Sequence, residues 1–521
     1  MAEVGAFTLE NLTTGMYVES LVIFREYIQN ACDAIDKART EKILAADEGK
    51  IEITIDAAKR RITIADNATG ISVLDFKSSL INIAYSDKTL ETDRGFRGIG
   101  RLCGLAYCRE LRFISTARGE GIQSTVIFDA AKLRAIFYSD KKYTVKEALD
   151  DIVSFETTVA EADEHFFRVE LLDITDTNKD LLDVEKVRDY LSFVAPVIYS
   201  PQLYYEELIK QHADALNFTI TEYKIEVNGE PLEKPYKINV RTRRLGDDEI
   251  FGLDFRDFRD KTGKLLAWSW VGLSTFKGIL SEQRETADYK MRCIRLRAGN
   301  IQIGDEYALQ DLFTESRGTK YFIGEIHTVD TNLRPNGRRD YLEENATYKI
   351  LETALEKYFA ELSEVYRTAS DIRGFIKTIN APAEAELDFQ RGQSVCKNRA
   401  ELRNELVKLN KIADSARKKI DSLREKAKQD PETPLSRVVL RMTENIPDNS
   451  NPPPTADSGN KKDNQSGTSF TKSQEFPPVH WNKHYRKLYN AIKLIILKNP
   501  TLKGKELLNK INEVLREEFD K

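Results

Sequence analysis

The sequence predicts an α+β protein of several domains that ends in a helical region. Helical and strand-like periodicities alternate through about the first 370 residues, and a seven-residue apolar repeat follows them. At 521 residues the chain is also too long for one hydrophobic core, so we expect about three domains.

The composition is that of an ordinary soluble protein, with 41% hydrophobic and 31% charged residues and a net charge of −5. Acids and bases are well mixed, so any nucleic-acid surface would have to be local. The five cysteines form no CxxC pair, which argues against a zinc site or a disulfide framework. No apolar run reaches membrane-spanning length, and Met1–Ser20 does not resemble a signal peptide. We therefore expect a cytoplasmic protein without a membrane partner.

Each element of the first 200 residues has its own pattern. An apolar face at helical spacing predicts a helix over Leu21–Ala38, and alternation predicts a hairpin of Ile51–Ile55 and Arg61–Ala65. Four further strands and a helix are predicted at Leu111–Ser115, Ser124–Phe128, Val153–Thr157, Phe167–Leu172 and Val184–Val197.

The rest of the chain divides by composition. Residues 201–375 predict a second α+β domain that closes on a helix at Tyr348–Tyr366. Residues 376–435 predict helix, 436–479 predict a disordered linker rich in proline, asparagine and serine, and 480–521 predict a small basic helical module.

The apolar repeat lies in the third of these segments and has two interleaved series. They are Val395, Leu402, Leu409, Ala416 and Leu423, with Leu406, Ala413, Ile420 and Ala427. With charged residues elsewhere, this spacing predicts a coiled coil. A long helix that packs on its own domain is the alternative, and the sequence leaves both open.

The first candidate site is a polar stripe on the predicted helix at Leu21–Ala38. The stripe consists of Glu26, Asn30, Asp33 and Lys37. Spacings of four, three and four residues place them on one face, beside the apolar face. A carboxylate and a carboxamide on adjacent turns suit an attacking water and a hydrated magnesium ion. A solvated polar face is the ordinary alternative.

The second candidate site is the turn that follows the predicted hairpin. Asp66 ends a strand and Gly70 lies in the tight loop after it. A buried carboxylate could accept a hydrogen bond from an adenine amino group, and a glycine would let the backbone approach the ring. An ordinary hairpin turn is the alternative.

The third candidate site is a glycine motif, Arg94–Gly104, in which Gly95, Gly98 and Gly100 form GxxGxG at the start of a helix. Backbone amides and a helix dipole there would suit phosphates. No Lys-Ser or Lys-Thr follows Gly100, so this is not a Walker loop. The polar segment before the motif, Tyr85–Asp93, is expected to be a mobile lid.

Together, and in this order, the motifs ExxxNxxD, DxxxG and GxxGxG resemble the ATP pocket of the GHKL superfamily, named for gyrase, heat-shock chaperone, histidine kinase and MutL. Within it the chain looks most like the ninety-kilodalton heat-shock chaperone. The resemblance implies an N-terminal Bergerat-fold α/β sandwich over residues 1–200 that binds ATP and Mg²⁺.

The resemblance also implies roles for individual residues. Glu26 would be the general base, Asn30 the magnesium ligand, Asp66 the adenine contact, and Gly95, Gly98 and Gly100 the phosphate loop. Asp33, Gly70 and Lys88 are expected to contact the nucleotide as well. A water-activating glutamate favours hydrolysis over phosphotransfer to a histidine.

One departure from the family concerns the adenine side. The chaperones have Gly-Thr on the strand where this chain has Phe166 and Phe167, so the threonine that helps to hold adenine is missing. Ala68 also replaces a glycine in the second motif.

A further candidate lies in the second domain, at Asp330–Asp340. This segment resembles the middle-domain loop of the chaperones, in which an Asn and an Arg, three apart, precede an acid. The resemblance implies a transducer-like domain over residues 201–375, with Arg339 as the γ-phosphate sensor and Asn336 as its companion. An ordinary basic surface loop is the alternative.

Three functions remain open at this point. The first is an ATP-hydrolysing clamp of the chaperone kind, a homodimer that acts on a protein client. The second is a DNA-associated ATPase of the MutL or MORC kind, because residues 480–521 contain ten Lys or Arg against five Asp or Glu. The third is a nucleotide-binding switch without significant turnover, which an intact Glu26 and Arg339 speak against.

Overall fold

The computed structural model describes residues 4–13, 19–81, 100–242, 246–279 and 288–446. The predicted lid with Lys88, the glycines Gly95 and Gly98, most of the predicted linker and the basic module lie outside these residues. The described part confirms the α+β class, with an α/β sandwich, a second sheet and a helical region.

An eight-stranded sheet forms the first layer. Its strands are β1 (Lys50–Asp56), β2 (Arg61–Asp66), β3 (Glu110–Thr116), β4 (Ile122–Asp129), β5 (Val153–Val159), β6 (Phe166–Leu172), β7 (Lys224–Val227) and β8 (Glu230–Pro231). They lie in the order β5-β4-β3-β6-β2-β1-β7-β8, and β1 pairs with β7 in parallel. The predicted hairpin and the four further predicted strands are confirmed to within two residues.

Helices cover one face of this sheet. The helices of this region are α1 (Phe7–Thr13), α2 (Val22–Thr40), α3 (Val73–Ile81), α4 (Ala130–Phe137), α5 (Val145–Ile152) and α6 (Val184–Val194), whereas the next helix, α7 (Glu206–Ala215), packs against the second sheet. Every second residue of β1 and β2 is buried, and isoleucines fill most of these positions. Each buried isoleucine side chain contributes roughly 1.5–3 kcal/mol to the stability of the fold, because its apolar surface is removed from water. Asp66 takes the last inward position of β2 and is therefore a buried carboxylate.

The second region contains a five-stranded sheet and a two-stranded ribbon. The ribbon consists of β9 (Asn239–Arg241) and β10 (Asp247–Glu249), and the sheet of β11 (Gly252–Arg259), β12 (Leu265–Leu273), β13 (Cys293–Ala298), β14 (Ile301–Ile303) and β15 (Ile323–Thr328). A short helix, α8 (Asp288–Met291), precedes β13. The sheet has the order β11-β12-β15-β13-β14, so β15 lies at its centre.

Strand β12 is buried on both faces, as its apolar sequence requires. Trp268 and Trp270 pack with Tyr199 and Tyr236 of the segment that precedes the sheet, whereas Val271 belongs to the core beneath the long C-terminal helix. The five-stranded sheet therefore lies between two separate apolar clusters.

A fully buried ionic network fixes the segment before the sheet to β15. Glu325 accepts a hydrogen bond from the Tyr199 hydroxyl at 2.6 Å and contacts Lys234 at 3.2 Å, Arg297 at 2.5 Å and His327 at 3.2 Å. Burial alone would raise the pKa of Glu325, but Arg297 and Lys234 hold it well below its usual range. Burial lowers the pKa of His327 to about 4.

Three helices complete the described chain: α9 (Ala346–Gln390), α10 (Arg399–Gln429) and α11 (Pro434–Thr443). Helix α10 packs on α9 and α11 of the same chain through members of the predicted repeat. The buried members are Leu402, Ala413, Ala416, Ile420 and Ala427. This packing corresponds to the alternative of a helix laid on its own domain. Among the described residues, no helix is both long and apolar enough to span a membrane.

Several predicted boundaries differ from the observed elements. The first sheet continues past residue 200, because β7 pairs with β1. Helix α9 continues past Tyr366 and past the predicted domain boundary at residue 375, because buried Ala369 and Ile372 extend its apolar face. It ends just before Gly392, whose φ is 70°. Val395 precedes α10 and is 96% exposed, so it does not belong to the apolar face. The predicted start of the linker at 436 lies inside α11, which Thr433 caps.

Candidate active site

Helix α2 carries polar side chains on a buried surface. Glu26 is 4% exposed and Asp33 is 7% exposed, while Asn30 is half-buried and Lys37 is exposed. A buried carboxylate is costly unless it is paired or hydrogen-bonded. The polar stripe is therefore not an ordinary solvated face, and its carboxylates need partners from other elements.

Gly100 packs directly against the Glu26 side chain. A Cβ atom at Gly100 would lie 2.3 Å from Oε2 of Glu26, so a larger residue would displace the carboxylate. Gly100 opens a 3-10 helix, Gly100–Ala106, where the sequence predicted an ordinary helix. The Tyr27 hydroxyl accepts from the Gly104 amide and donates to the Arg101 carbonyl, both at 3.1 Å. These bonds hold the glycine segment against α2.

Arg339 reaches Glu26 from the second region. Its Nε lies 2.9 Å from Oε1 of Glu26, and its Nη1 donates to Oε1 of Gln29. Glu26 and Arg339 are 313 positions apart in the sequence, and the structure brings them into direct contact. Gln29 was not predicted as a site residue, although its spacing of three from Glu26 places it on the neighbouring turn.

The loop after β15 holds the backbone of Arg339 in a defined position. Arg339 has a φ of 57°, in the left-handed region that non-glycine residues rarely adopt. Its amide donates to the Asn336 carbonyl at 3.1 Å, and its own carbonyl accepts from the Gly304 amide at 2.9 Å. At the base of the loop, Asp330 pairs with Lys264 at 2.5 Å. Backbone strain of this kind is typical of functional sites.

Asn336, the expected companion of Arg339, makes its observed contacts within the loop, and its role as a nucleotide contact stays a prediction. Its side-chain amide donates to Asp340 at 2.6 Å, and its backbone amide donates to the Tyr341 carbonyl. These contacts of Asn336 stabilise the conformation of the loop. Arg338, the neighbour of Arg339, has an exposed side chain.

Asp66 lies at the end of β2 with 6% of its surface exposed. One of its oxygens accepts a hydrogen bond from the Ala68 amide at 3.0 Å. Burial raises the pKa of Asp66 to about 7, and hydrogen bonds from the Ala68 and Phe167 backbones only partly oppose it. The carboxylate is thus a buried acceptor that gains from a further donor.

Gly70 follows in a turn that only glycine can occupy. Its φ is 64°, and a Cβ atom would lie 1.9 Å from the Thr116 carbonyl oxygen. The next amide, that of Ile71, donates to the Ser115 hydroxyl at 2.9 Å, and Ser115 donates to the Phe166 carbonyl at 2.7 Å.

Ser115 also lies near the position of the missing threonine. Phe167 is paired with Asp66 on one side and with Ser115 on the other, so the three side chains share one face of the sheet. Ser115 is therefore a hydroxyl on the Asp66 face that the sequence analysis missed. Only the strand pairing reveals it.

These features fit an adenine nucleotide. A buried acceptor at Asp66, a turn closed to side chains at Gly70 and a glycine packed on Glu26 are the parts that such a ligand requires. No group of three or more His, Cys, Asp or Glu among the described residues could hold a metal ion by itself. A magnesium ion would therefore need phosphate oxygens beside the Asn30 amide.

Comparison with known proteins defines the class. Residues 18–156 match the family described as histidine kinase-, DNA gyrase B-, and HSP90-like ATPase. This stretch includes Glu26, Asp66 and Gly100. The N-terminal region is thus similar to the GHKL-type ATPases over these residues.

The particular relatives are chaperone proteins named HtpG. The chain is 22% identical over 414 residues to HtpG of Geobacter metallireducens, covering 71% of this chain and 58% of that protein. It is 22% identical over 427 residues to HtpG of Geobacter sulfurreducens, covering 74% and 58%. A shorter match, 36% identical over 91 residues, is to HtpG of Ehrlichia canis and covers 16% and 14%. The resemblance to the Hsp90-like chaperones is confirmed at low identity, and the chain spans little more than half the length of the two Geobacter relatives.

Proposed function

We propose that this protein binds and hydrolyses ATP and uses the reaction to change the contact between its two α+β regions. The single observation that supports this best is the 2.9 Å contact between Glu26 and Arg339. It joins a helix of the GHKL-like region to a loop of the second region. A pocket that only binds nucleotide would not need an arginine from another sheet beside its buried carboxylate.

At the adenine end, Asp66 accepts a hydrogen bond from the amino group of the base. Its raised pKa supports this role, because a further donor would stabilise the ionised carboxylate. Gly70 lets the backbone pass close to the ring, and Ser115 holds the turn in place. All three belong to the first sheet and its loops.

At the phosphate end, Glu26 accepts a proton from the attacking water. To do so it must release Arg339, which then neutralises the charge that develops on the transferred phosphoryl group. Gly100, with Gly95, Gly98 and Lys88 outside the described residues, contacts the phosphates, and Asp33 holds water at the same site. Asn30 would help to hold Mg²⁺, which would supply positive charge there.

The partner is a protein, and the working form is a homodimer. The names of the HtpG relatives support a protein client, since each is called a chaperone. The competing proposal, a DNA-associated ATPase, depends on the basic composition of residues 480–521. Turnover measured with duplex DNA and with an unfolded protein separates the two, because only the true partner should change the rate.

The adenine assignment has its own test. Asp66→Asn should abolish ATP binding, because the amide is a weaker acceptor and its own donor would face the amino group of the base. Calorimetry of the wild type and the variant measures this directly. Micromolar binding by the variant would contradict the assignment.

A further inference from the structure

Gln29 lies between the two regions at the place where they meet. It is one turn after Glu26 on α2, and its side chain is 1% exposed. The guanidinium of Arg339 donates to its carboxamide oxygen through Nη1 and contacts Glu26 through Nε. One face of α2 therefore holds the arginine at two points.

The chemistry of arginine fixes the orientation of this amide. A guanidinium only donates hydrogen bonds, so the carboxamide oxygen of Gln29 must face Arg339 and the NH₂ group must point away. That NH₂ group is buried and has no acceptor among the described residues. A side chain present only for packing would be better apolar, since it would leave no buried donor unpaired.

The two acceptors differ in charge, and this difference matters for the proposed reaction. Glu26 must give up Arg339 before it can accept a proton from water. A neutral amide can keep one end of the guanidinium while the other end exchanges the carboxylate for a phosphate oxygen. It does so without adding negative charge beside the phosphates.

We infer that Gln29 is a positioning residue that keeps Arg339 at the phosphate end throughout turnover. The inference rests on the proposed function. It assigns Gln29 an effect on the rate of hydrolysis and none on adenine binding. The hydrogen-bonded loop backbone places Arg339 beside α2, and Gln29 orients its guanidinium group.

The test uses steady-state hydrolysis of Mg-ATP by the full chain. Gln29→Met keeps the size of the side chain and removes the acceptor; kcat should fall about tenfold while KM stays within about twofold. Gln29→Glu should lower kcat and also raise KM, because a second carboxylate holds Arg339 and repels the phosphates. Gln211→Met, the same substitution at a glutamine on α7, is the matched control.

A double variant tests whether the effect acts through the arginine. In an Arg339→Ala background, Gln29→Met should cause no further loss, because the two residues act as one unit. Full kcat in Gln29→Met, or a loss that adds in full to that of Arg339→Ala, would overturn the inference. If Arg339→Ala itself kept full activity, the proposed function would fail instead. Thermal unfolding of each variant confirms that the protein is folded.

Discussion

Two buried glutamates each meet an arginine, which for Glu325 lies on a neighbouring strand and for Glu26 comes from the second region, and their surroundings differ. Glu325 is fully buried, and Tyr199, Lys234, Arg297 and His327 surround its two oxygens. Glu26 has Arg339 at 2.9 Å and Arg25 at 3.9 Å from one oxygen, and Gly100 beside the other.

The difference indicates which pair can take part in chemistry. Glu325 is fully buried, with Tyr199, Lys234 and His327 at one oxygen and Arg297 at the other, so we interpret the network as a structural contact. Arg339 is 18% exposed and extends from a strained loop, so it can exchange one anion for another. The same pair of residue types thus serves stability in one place and, in our proposal, catalysis in the other.

Removing Glu26 should give the largest effect. Glu26→Ala should lower kcat by about a hundred- to ten-thousand-fold, because the base is lost while the contacts of the adenine end remain. Binding of ATP should be nearly unchanged, and thermal unfolding checks that the variant is folded. A loss of less than about tenfold would mean that another group activates the water.

Removing Glu325 should act on stability instead. Glu325→Ala leaves Arg297 as a buried cation without its carboxylate, which should cost about 3–5 kcal/mol of the free energy of unfolding. Glu361→Ala is the control, because its pair with Arg256 is half exposed and contributes about 1 kcal/mol or less. Denaturant unfolding measures both. Equal effects of the two substitutions would contradict the view of Glu325 as a structural contact.

The same network predicts a smaller, pH-dependent effect. Burial lowers the pKa of His327 from its usual 6.5 to about 4. As the pH falls, the unfolded chain therefore binds a proton at His327 at a higher pH than the folded chain does. The contribution of His327 to stability should therefore fall as the pH drops from about 6.5 to about 4, by up to about 3 kcal/mol. Asp66, whose pKa burial raises to about 7, contributes in the opposite direction in both the wild type and the His327→Phe variant. In His327→Phe, which keeps a ring on Trp268, this part of the pH dependence should disappear. An unchanged profile would show that His327 does not set it.

Sequence patterns predicted the elements whose signals are local. The period of two in β1 and β2 and the apolar face of α2 are visible within short windows, and both were located to within two residues. The second-region loop was found through a resemblance, and its arginine does reach Glu26. The boundaries near 200, 375 and 436 could not be found in this way, because each depends on a distant element that pairs or packs there.

Contacts between residues that are distant in the sequence could not be predicted from sequence patterns. Nothing in the spacing of Tyr199 and Glu325 indicates that they meet, and Ser115 gains its place only from strand order. Gln29 could have been predicted as a site residue, since it lies three residues after Glu26 on the same helix. It was overlooked because a glutamine on a helix is ordinary until its partner is known.

The central claim is that Arg339 completes the phosphate end from the second region, and one comparison tests it most directly. It measures kcat and the ATP dissociation constant of Arg339→Ala beside Arg338→Ala. We predict a fall in kcat of up to the order of a thousandfold for Arg339→Ala, with little change in ATP binding. Arg338→Ala should be nearly silent, because its side chain is exposed. Equal effects at the two positions, or full turnover by Arg339→Ala, would contradict the account.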